Sequence, residues 1–353
     1  MFRANAILDC STCTQMRSGS DILNRVRPSS RSFTWVLPLG RFRTALLACL
    51  ALAGAAWKAG TASSAASETS DTLSRSEVPD SLERLQLAFF RDGVLYTVRA
   101  DGSQMRRVAE VEGAYNAPHW SPDGTQFLVR VESTNESGEV VAGLIVSVPI
   151  DGGPIVNLSA VSGSAADGNP NWSPNGEQIV FDGRRGDDRY QNIYVMNADG
   201  SQPVRLTDDT REGQYPAWSP DGTMIAYTVV DPQSFDFDVW VMDSDGANAR
   251  NVSNSPADDN WATWSPDSDQ LAFFSTRQPN DDSDGRVWVV NIDGSDPHPV
   301  SAGGMGEPDW SPDGNWIAVN CGLNPSRVCA VSSHGSRSVL LPIDNAAFPN
   351  WRR

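Results

Sequence analysis

The sequence predicts an all-β protein, a six-bladed β-propeller with four antiparallel strands in each blade. A Trp-Ser-Pro-Asp-Gly motif recurs at intervals of 41 to 52 residues, and an Asp-Gly motif alternates with it. Both motifs occur six times when degenerate copies are counted. Short runs rich in β-branched and aromatic residues lie between them, without a helical pattern. Four short strands in a repeat of about 45 residues are typical of a propeller blade.

The first motif contains a tryptophan in every copy: Trp120, Trp172, Trp218, Trp264, Trp310 and, truncated, Trp351. The second motif lies at Asp101-Gly102, Asp151-Gly152, Asp199-Gly200, Asp245-Gly246, Asp293-Gly294 and His334-Gly335. Proline fixes φ and Asp-Gly supplies a tight reversal, so the motifs are turns between antiparallel strands. We expect the tryptophans to fill the space between neighbouring blades. The motifs therefore predict a fold rather than an active site.

The two ends of the repeat array complement each other. The array begins at Leu85 with a segment that matches the second strand of a repeat, and it ends with a segment that matches the first strand. Residues 346–351 should therefore supply the innermost strand of a blade whose other strands come from residues 85–110. This pairing closes the ring and removes an exposed sheet edge.

The chain divides into a leader (1–60), a disordered Ser/Thr/Ala-rich linker (61–84) and the propeller (85–353). The apolar segment 44–57 follows two arginines and is shorter than the ~20 residues of a membrane span. It predicts a secretory signal, a periplasmic or secreted protein, and no membrane span after leader removal. Because 43 residues precede the segment, three alternatives stay open: translation that starts after Met1, an uncleaved anchor and a transit peptide. The position of cleavage is open as well.

The chain is acidic, with 27 Lys and Arg against 44 Asp and Glu and a net charge of −17. Such a surface repels phosphate backbones, which argues against nucleic-acid binding and favours cations or basic protein surfaces as partners. Solubility alone is the simpler explanation of the charge.

Cysteine usage fits export. Cys10, Cys13 and Cys49 lie in the leader, so Cys321 and Cys329 are left to pair in the propeller. They flank a Gly/Asn/Pro turn between two strand-like runs, and we expect a cross-strand disulfide in an oxidising compartment.

The variable segments of the repeats should gather on one face, opposite the tight turns. Carboxylates and aromatic residues alternate there, which suits a protein or peptide with a basic surface. Solvated loops are the alternative. The residues expected to bind the partner are Asp187, Asp188, Tyr190, Asp208, Asp209, Tyr215, Asp236, Asp238, Asp258, Asp259 and Trp261.

The residue just before each motif tryptophan is small or polar in every copy. We expect these residues to line the central channel, where water and a ligand are the alternative occupants. These residues are His119, Asn171, Ala217, Thr263, Asp309 and Asn350.

The sequence offers two candidates for chemistry, a calcium site and a metal-dependent enzyme site. Asn280, Asp282 and Asp284 followed by glycine match the start of a calcium loop, but Asn291 stands where the bidentate Glu belongs, and a metal-free hairpin is the alternative. No other cofactor is expected. A metal-dependent carbohydrate-active lyase or hydrolase is the alternative function, yet His119, His298 and His334 fall in different repeats. We therefore expect a monomeric, non-enzymatic binding or scaffold module.

The alternating motifs resemble the WD-like repeats of the TolB propeller and of tricorn-type peptidase propellers, over about residues 85–353. The resemblance implies the six-bladed fold, in a family that spans scaffold proteins, sugar-processing lyases and peptidase gating domains. TolB carries an α/β domain before its propeller, for which residues 1–84 leave no room. A peptidase of this kind has a hydrolase domain with Gly-x-Ser-x-Gly, which this sequence lacks.

Overall fold

The computed structural model of the protein describes residues 78–134, 140–162, 166–277, 285–301, 305–323 and 326–353. They form six four-stranded antiparallel sheets arranged as the blades of a propeller, which confirms the predicted fold. The predicted leader, with its apolar segment 44–57, lies outside the described residues, as do Cys10, Cys13 and Cys49.

Blades 1 to 3 have the following strands, innermost first: β24 (Ala347–Trp351), β1 (Gln86–Arg91), β2 (Val94–Arg99) and β3 (Arg106–Glu110); β4 (His119–Trp120), β5 (Gln126–Thr134), β6 (Val140–Pro149) and β7 (Val156–Asn157); β8 (Asp167–Trp172), β9 (Gln178–Gly183), β10 (Asn192–Asn197) and β11 (Val204–Arg205).

Blades 4 to 6 have these strands in the same order: β12 (Glu212–Trp218), β13 (Met224–Val230), β14 (Phe237–Asp243) and β15 (Arg250–Asn251); β16 (Asp259–Trp264), β17 (Gln270–Ser275), β18 (Arg286–Asn291) and β19 (His298–Pro299); β20 (Met305–Trp310), β21 (Trp316–Leu323), β22 (Ser326–Ser332) and β23 (Ser338–Asp344).

The C-terminal strand closes the ring as predicted. Strand β24 pairs antiparallel with β1, with Trp351 opposite Leu87 and Asn350 opposite Ala88. Blade 1 is therefore assembled from both ends of the propeller sequence. Its innermost strand comes from the C-terminal end, and its other three strands come from the N-terminal end.

The motif tryptophans fill the spaces between blades. Six clusters of buried apolar side chains each join two neighbouring blades, and each contains one of these tryptophans. Trp120, for example, packs with Phe90 and Leu95 of blade 1 and with Phe127 and Val129 of blade 2. The tryptophans thus stabilise the ring by burying large apolar surfaces at each blade interface.

The Ser-Pro-Asp-Gly turns are held by their own side chains. The Ser121 hydroxyl donates to Asp123 Oδ1 at 2.6 Å and accepts from the backbone N–H of Gln126 at 3.1 Å. Gly124 has φ +69°, a conformation that glycine adopts without steric cost. In blade 5 Ser268 takes the glycine position with φ +65°. The turn geometry is therefore retained even where the favoured residue is absent.

The packed chain begins earlier than the predicted boundary at Leu85. Helix α1 (Asp80–Glu83) is a single turn within the predicted linker, and Leu82 is fully buried with Val78 in the cluster between blades 6 and 1. Ser81 Oγ also accepts a 3.3 Å hydrogen bond from Trp316 Nε1. Burial of two apolar side chains explains why this end of the linker is ordered.

A second single-turn helix, α2 (Leu158–Ser162), lies between blades 2 and 3.

In blade 6, Cys321 on β21 and Cys329 on β22 form a disulfide, with their Cα atoms 5.8 Å apart. The bond crosslinks two neighbouring strands. No helix in the described part of the chain combines the length and the apolar character that a bilayer crossing requires.

Candidate functional site

A cavity of about 370 Å³ is encircled by the innermost strands of all six blades. Each of these strands runs from the face that carries the variable loops, called the loop face, towards the Ser-Pro-Asp-Gly turns. The residues that line the cavity include, in each blade, one residue near the turns and one nearer the loop face. They form two layers with different roles.

The inner layer consists of the residues just before the motif tryptophans, and all of them line the cavity: His119, Asn171, Ala217, Thr263, Asp309 and Asn350. Several of them bond to the next blade. Asn171 Oδ1 accepts from the backbone N–H of Trp218 at 3.1 Å, and Asp309 Oδ2 accepts from that of Trp351 at 2.6 Å. Asn350 Oδ1 accepts from Trp120 N–H at 3.4 Å. These predicted channel residues therefore connect the blades.

Two titratable members of the inner layer have shifted pKa values. Burial, followed by the positive charge of Arg353, lowers the pKa of His119 to about 4, so the imidazole is neutral at pH 7. Burial raises the pKa of Asp309 to about 6 despite Arg353, whose Nη2 lies 3.7 Å from Asp309 Oδ1. Asp309 thus has a cationic partner inside the protein.

The mouth ring is the layer nearer the loop face: Asn116, Asn169, Tyr215, Trp261, Glu307 and Phe348. Five of its members stand three residues before the motif tryptophan, at β-bulges, and have φ between +44° and +58° in the left-handed region: Asn169 (44°), Tyr215 (51°), Trp261 (55°), Glu307 (51°) and Phe348 (58°). Asn116 in blade 2 has φ +130°.

The left-handed conformation is unfavourable for bulky side chains, and strain of this kind is concentrated at functional sites. The position is also chemically different in almost every blade, although the neighbouring motif is nearly constant. A strained backbone that turns varied side chains into a cavity makes the mouth ring the best candidate for a binding site.

One half of the mouth ring is a closed network of amides. Asn116 Nδ2 donates to Asn169 Oδ1, and Asn169 Nδ2 donates to Asp182 Oδ2 at 2.6 Å. Asp182 also accepts from the Tyr215 backbone N–H at 2.8 Å and from Gln191 Nε2 at 2.6 Å. Burial raises the pKa of Asp182, which these donors and Arg130 partly offset. The polar side chains of this half therefore have hydrogen-bond partners within the protein.

The other half combines aromatic rings with one carboxyl group. Tyr215 and Trp261 meet edge to face with centroids 6.0 Å apart, and Trp261 contacts Phe274 at 5.4 Å. Glu307 Oε2 accepts from Asn320 Nδ2 at 3.1 Å. Burial raises the pKa of Glu307 to about 8, against the effect of that hydrogen bond.

The predicted acidic partner face is largely not a free patch of charge. Asp188 pairs with Arg205 at 2.6 Å, and the fully buried Asp259 pairs with Arg277 at 2.8 Å. Asp209 accepts from the backbone N–H of Arg189 and Tyr190, and these hydrogen bonds lower its pKa to about 2. These carboxylates hold loops and strands in place within the protein.

The remaining residues of that face fall into three groups. Asp187, Asp208 and Asp236 are exposed, while Tyr190, Asp238 and Asp258 are half-buried. Tyr215 and Trp261 lie in the mouth ring. Exposed Arg184, Arg189 and Arg211 lie in the same loops, so the surface carries charges of both signs.

The metal and histidine predictions have different outcomes. Asn280, Asp282 and Asp284 lie outside the described residues. Within the described ranges, no group of three or more His, Cys, Asp and Glu side chains is placed to hold a metal ion. His119 lines the cavity, whereas His298 belongs to the outermost strand of blade 5 and His334 to a turn of blade 6.

Tyr215 and Trp261 were predicted from the sequence as binding residues, but the other four members of the mouth ring were missed. A signal was nevertheless present: the residue before the motif Pro-x-Trp differs in the successive copies Asn169-Pro170, Tyr215-Pro216, Glu307-Pro308 and Phe348-Pro349. A position that varies beside a nearly constant motif is not fixed by the fold. Such a position can instead carry side chains for binding.

Comparisons with known proteins agree with this architecture. The family model described as the tricorn protease N-terminal beta propeller domain matches residues 190–328. TolB from Acinetobacter baumannii is similar in structure, with a TM-score of 0.61, 18% identity, and coverage of 77% of this chain and 67% of that one. A protein described as TolB from Agrobacterium tumefaciens has a TM-score of 0.57, 21% identity, and coverage of 74% and 89%.

An oligogalacturonate lyase in complex with manganese is also similar, with a TM-score of 0.51, 15% identity, and coverage of 70% of this chain and 73% of that one. At these identities the likenesses concern the fold. The protein is thus a six-bladed propeller whose fold is similar to those of the TolB proteins, and part of its sequence matches the tricorn N-terminal propeller model.

Proposed function

We propose that the protein is a non-enzymatic binding propeller that holds a segment of a partner protein at its loop face, with a side chain of that segment inserted in the mouth ring. The observation that carries the proposal is the mouth ring itself, where varied side chains on a strained backbone surround a cavity. Its volume of about 370 Å³ is within the usual range of ligand pockets and is suited to one or two side chains.

The distribution of charge supports a partner anchored in the cavity rather than on a broad acidic surface. Asp188, Asp209 and Asp259 are occupied by contacts within the protein. Exposed acids and arginines alternate in the loops, so steering of a basic partner is weak there. Recognition then depends on the mouth ring, and the loops contribute a polar rim.

We place the protein in the periplasm or outside the cell. The Cys321–Cys329 disulfide supports this placement because such bonds persist in oxidising compartments. The apolar segment 44–57 supports it independently as a secretory signal.

Binding is favoured over the alternative of a metal-dependent lyase or hydrolase by the position of the histidines. His119 is buried and neutral in the cavity wall, and His298 and His334 belong to other blades. The similarity to a manganese-bound lyase is a similarity of fold, so it does not bring that protein's chemistry with it.

The test is capture of partners from native envelope extract on the immobilised full-length chain. Wild type is compared with Trp261→Ala, which removes a mouth-ring side chain, and with Phe235→Ala, which removes an exposed aromatic side chain from an outer loop. We expect wild type and Phe235→Ala to retain the same protein and Trp261→Ala to lose at least tenfold, with unchanged melting curves.

Equal retention by Trp261→Ala would contradict a site in the mouth ring. Cleavage of polysaccharides by the purified wild type would overturn the non-enzymatic part of the proposal.

A further inference from the structure

Three aromatic side chains and one carboxyl group occupy one half of the mouth ring. They come from consecutive blades, in the order Tyr215, Trp261, Glu307 and Phe348 for blades 4, 5, 6 and 1. Glu307 therefore stands between two aromatic residues on neighbouring blades. A carboxyl group placed this way is set apart from the amide network in the other half.

Contacts fix the order of these groups. A Cβ atom on Gly306 would lie 3.7 Å from Trp261 Cζ3, so the indole lies beside the backbone that leads into Glu307. On the other side, Asn320 Nδ2 donates to Glu307 Oε2 at 3.1 Å, while Asn320 Oδ1 accepts from the Phe348 backbone N–H at 3.3 Å. Asn320 thus holds Glu307 next to Phe348.

Glu307 has no cationic partner among the described residues. Arg353 also lines the cavity, but its guanidinium group lies against Asp309, in the inner layer. The described residues also include no lysine, because the single lysine of the sequence is Lys58 in the leader. A carboxylate in an aromatic wall without a cation is unfavourable, and a ligand that supplied one would remove the cost.

We propose that this half of the mouth ring binds an alkylammonium group, and that the group is the end of a lysine side chain in the partner segment. The faces of Trp, Tyr and Phe attract cations, and Glu307 supplies the opposite charge. The inference rests on the proposed function and names the partner side chain that the site selects.

The charge of Glu307 sets the expected pH dependence. Because burial raises its pKa to about 8, the carboxyl group is largely protonated at pH 7 in the free protein, and the ammonium ion binds the ionised form. Affinity should therefore increase between pH 6.5 and pH 9.

Above pH 7.5, the other titratable and charged groups around the cavity keep their charge. Burial lowers the pKa of His119 to about 4, raises that of Asp309 to about 6 and raises that of Tyr215 to about 12. Arg353 is paired with Asp309, and Asp259, on the neighbouring strand β16, with Arg277. A change in affinity across pH 8 would therefore report on Glu307.

The first experiment titrates the full-length protein with butylammonium and with butanol, a neutral probe of the same chain length, and follows binding by calorimetry or NMR. At pH 8.5 we expect butylammonium to bind at least tenfold more tightly than butanol. Glu307→Gln, which keeps the hydrogen-bonding shape, should abolish this preference, whereas Asp236→Asn, which removes an exposed loop charge, should leave it unchanged. Equal binding of the two probes, or an unchanged preference in Glu307→Gln, would overturn the inference.

The second experiment distinguishes a lysine side chain from a small free amine. A carbodiimide joins a carboxyl group to an amine in contact with it as an amide, and the propeller offers no lysine of its own. In the complex captured from envelope extract, we expect an amide between Glu307 and a partner lysine, absent in Glu307→Gln. An amide to a small amine instead would refute the lysine assignment.

The two proposals fail in different ways. If the cavity retains a partner but the probes are not discriminated, the proposed function stands and the cation inference is wrong. If butylammonium binds through Glu307 but no partner depends on Trp261, the cation site stands and the proposed function is wrong.

Discussion

The inner layer and the mouth ring come from the same six blades, two residues apart in all but blade 2, and yet they serve different purposes. In the inner layer Asn171, Asp309 and Asn350 accept hydrogen bonds from backbone N–H groups of the next blade. In the mouth ring the backbone adopts positive φ angles, and Trp261, Glu307 and Phe348 turn towards the cavity.

The difference teaches where a repeat protein can vary. An inner-layer residue is constrained because its loss leaves a buried N–H without a partner at a blade interface. A mouth-ring residue is free of that duty, so each blade can present a different side chain. The expected effects of mutation follow from this contrast, and they begin with the closure on which both layers depend.

Deletion of residues 345–353 should have the largest effect. It removes β24, Trp351 and one-sixth of each layer, and it leaves β1 as an exposed edge. We expect the melting temperature to fall by about 10 °C or more. Thermal unfolding followed by circular dichroism would measure this, with Arg353→Ala as the control, and a fall of less than two or three degrees would contradict closure by β24.

Asp259→Ala should have the next largest effect, because it leaves Arg277 without its buried carboxylate. The expected loss in the free energy of unfolding is about 3 kcal/mol. The matched change Asp236→Ala, at an exposed acid of the same predicted face, should cost less than about 0.5 kcal/mol. Denaturant unfolding of both variants would show whether the loop acids divide into structural and exposed groups, and equal losses would remove that distinction.

Asp309→Ala tests the inner layer directly. Loss of the hydrogen bond from Trp351 N–H should lower the free energy of unfolding by about 1.5 kcal/mol. Asp309→Asn retains an acceptor oxygen and should recover most of the loss in the same denaturant measurement. If the asparagine variant were as unstable as the alanine variant, the charge of Asp309 rather than its hydrogen bond would carry the effect.

Glu307→Gln is the one substitution of this set that should stabilise the protein, and its effect should depend on pH. Burial raises the pKa of Glu307 from 4.5 to about 8, so the folded protein retains a proton that the unfolded chain loses. The resulting stabilisation is complete below pH 4.5 and is lost as the pH rises through 8. Glu307→Gln lacks this dependence, so its free energy of unfolding should rise relative to that of wild type between pH 4 and pH 9, by an amount on the order of several kcal/mol.

Unfolding of both proteins at pH 4 and pH 9 would measure that difference. A constant difference between wild type and variant across the two pH values would show that Glu307 is not desolvated in the folded protein.

The fold was predictable because its signals are local. Ser121, Asp123 and Gly124 determine a turn within a few residues, and five such turns at a regular spacing, with the truncated sixth copy of the motif, determine a blade count. The closure by residues 346–351 followed from the phase of the repeats. The inner layer was likewise placed correctly in the cavity, because it directly precedes each motif tryptophan.

The site was less predictable because its partners are distant in sequence. Asp188 and Asp259 looked like free loop acids, but Arg205 and Arg277, each 17 or 18 residues further along the chain, pair with them. Glu307 looked unremarkable, and its environment comes from Trp261 and Phe348 on the two neighbouring blades. No local sequence pattern predicts contacts between residues that are so far apart in sequence.

By itself, then, the amino-acid sequence determined the class of fold, the number of blades and the way in which the ring closes, because turn chemistry and strand periodicity act over a few residues. The tertiary structure decided which acids are consumed in ion pairs and which side chains meet at the cavity. Those outcomes depend on β-bulges that re-aim side chains and on neighbours brought together only when six blades close around one axis.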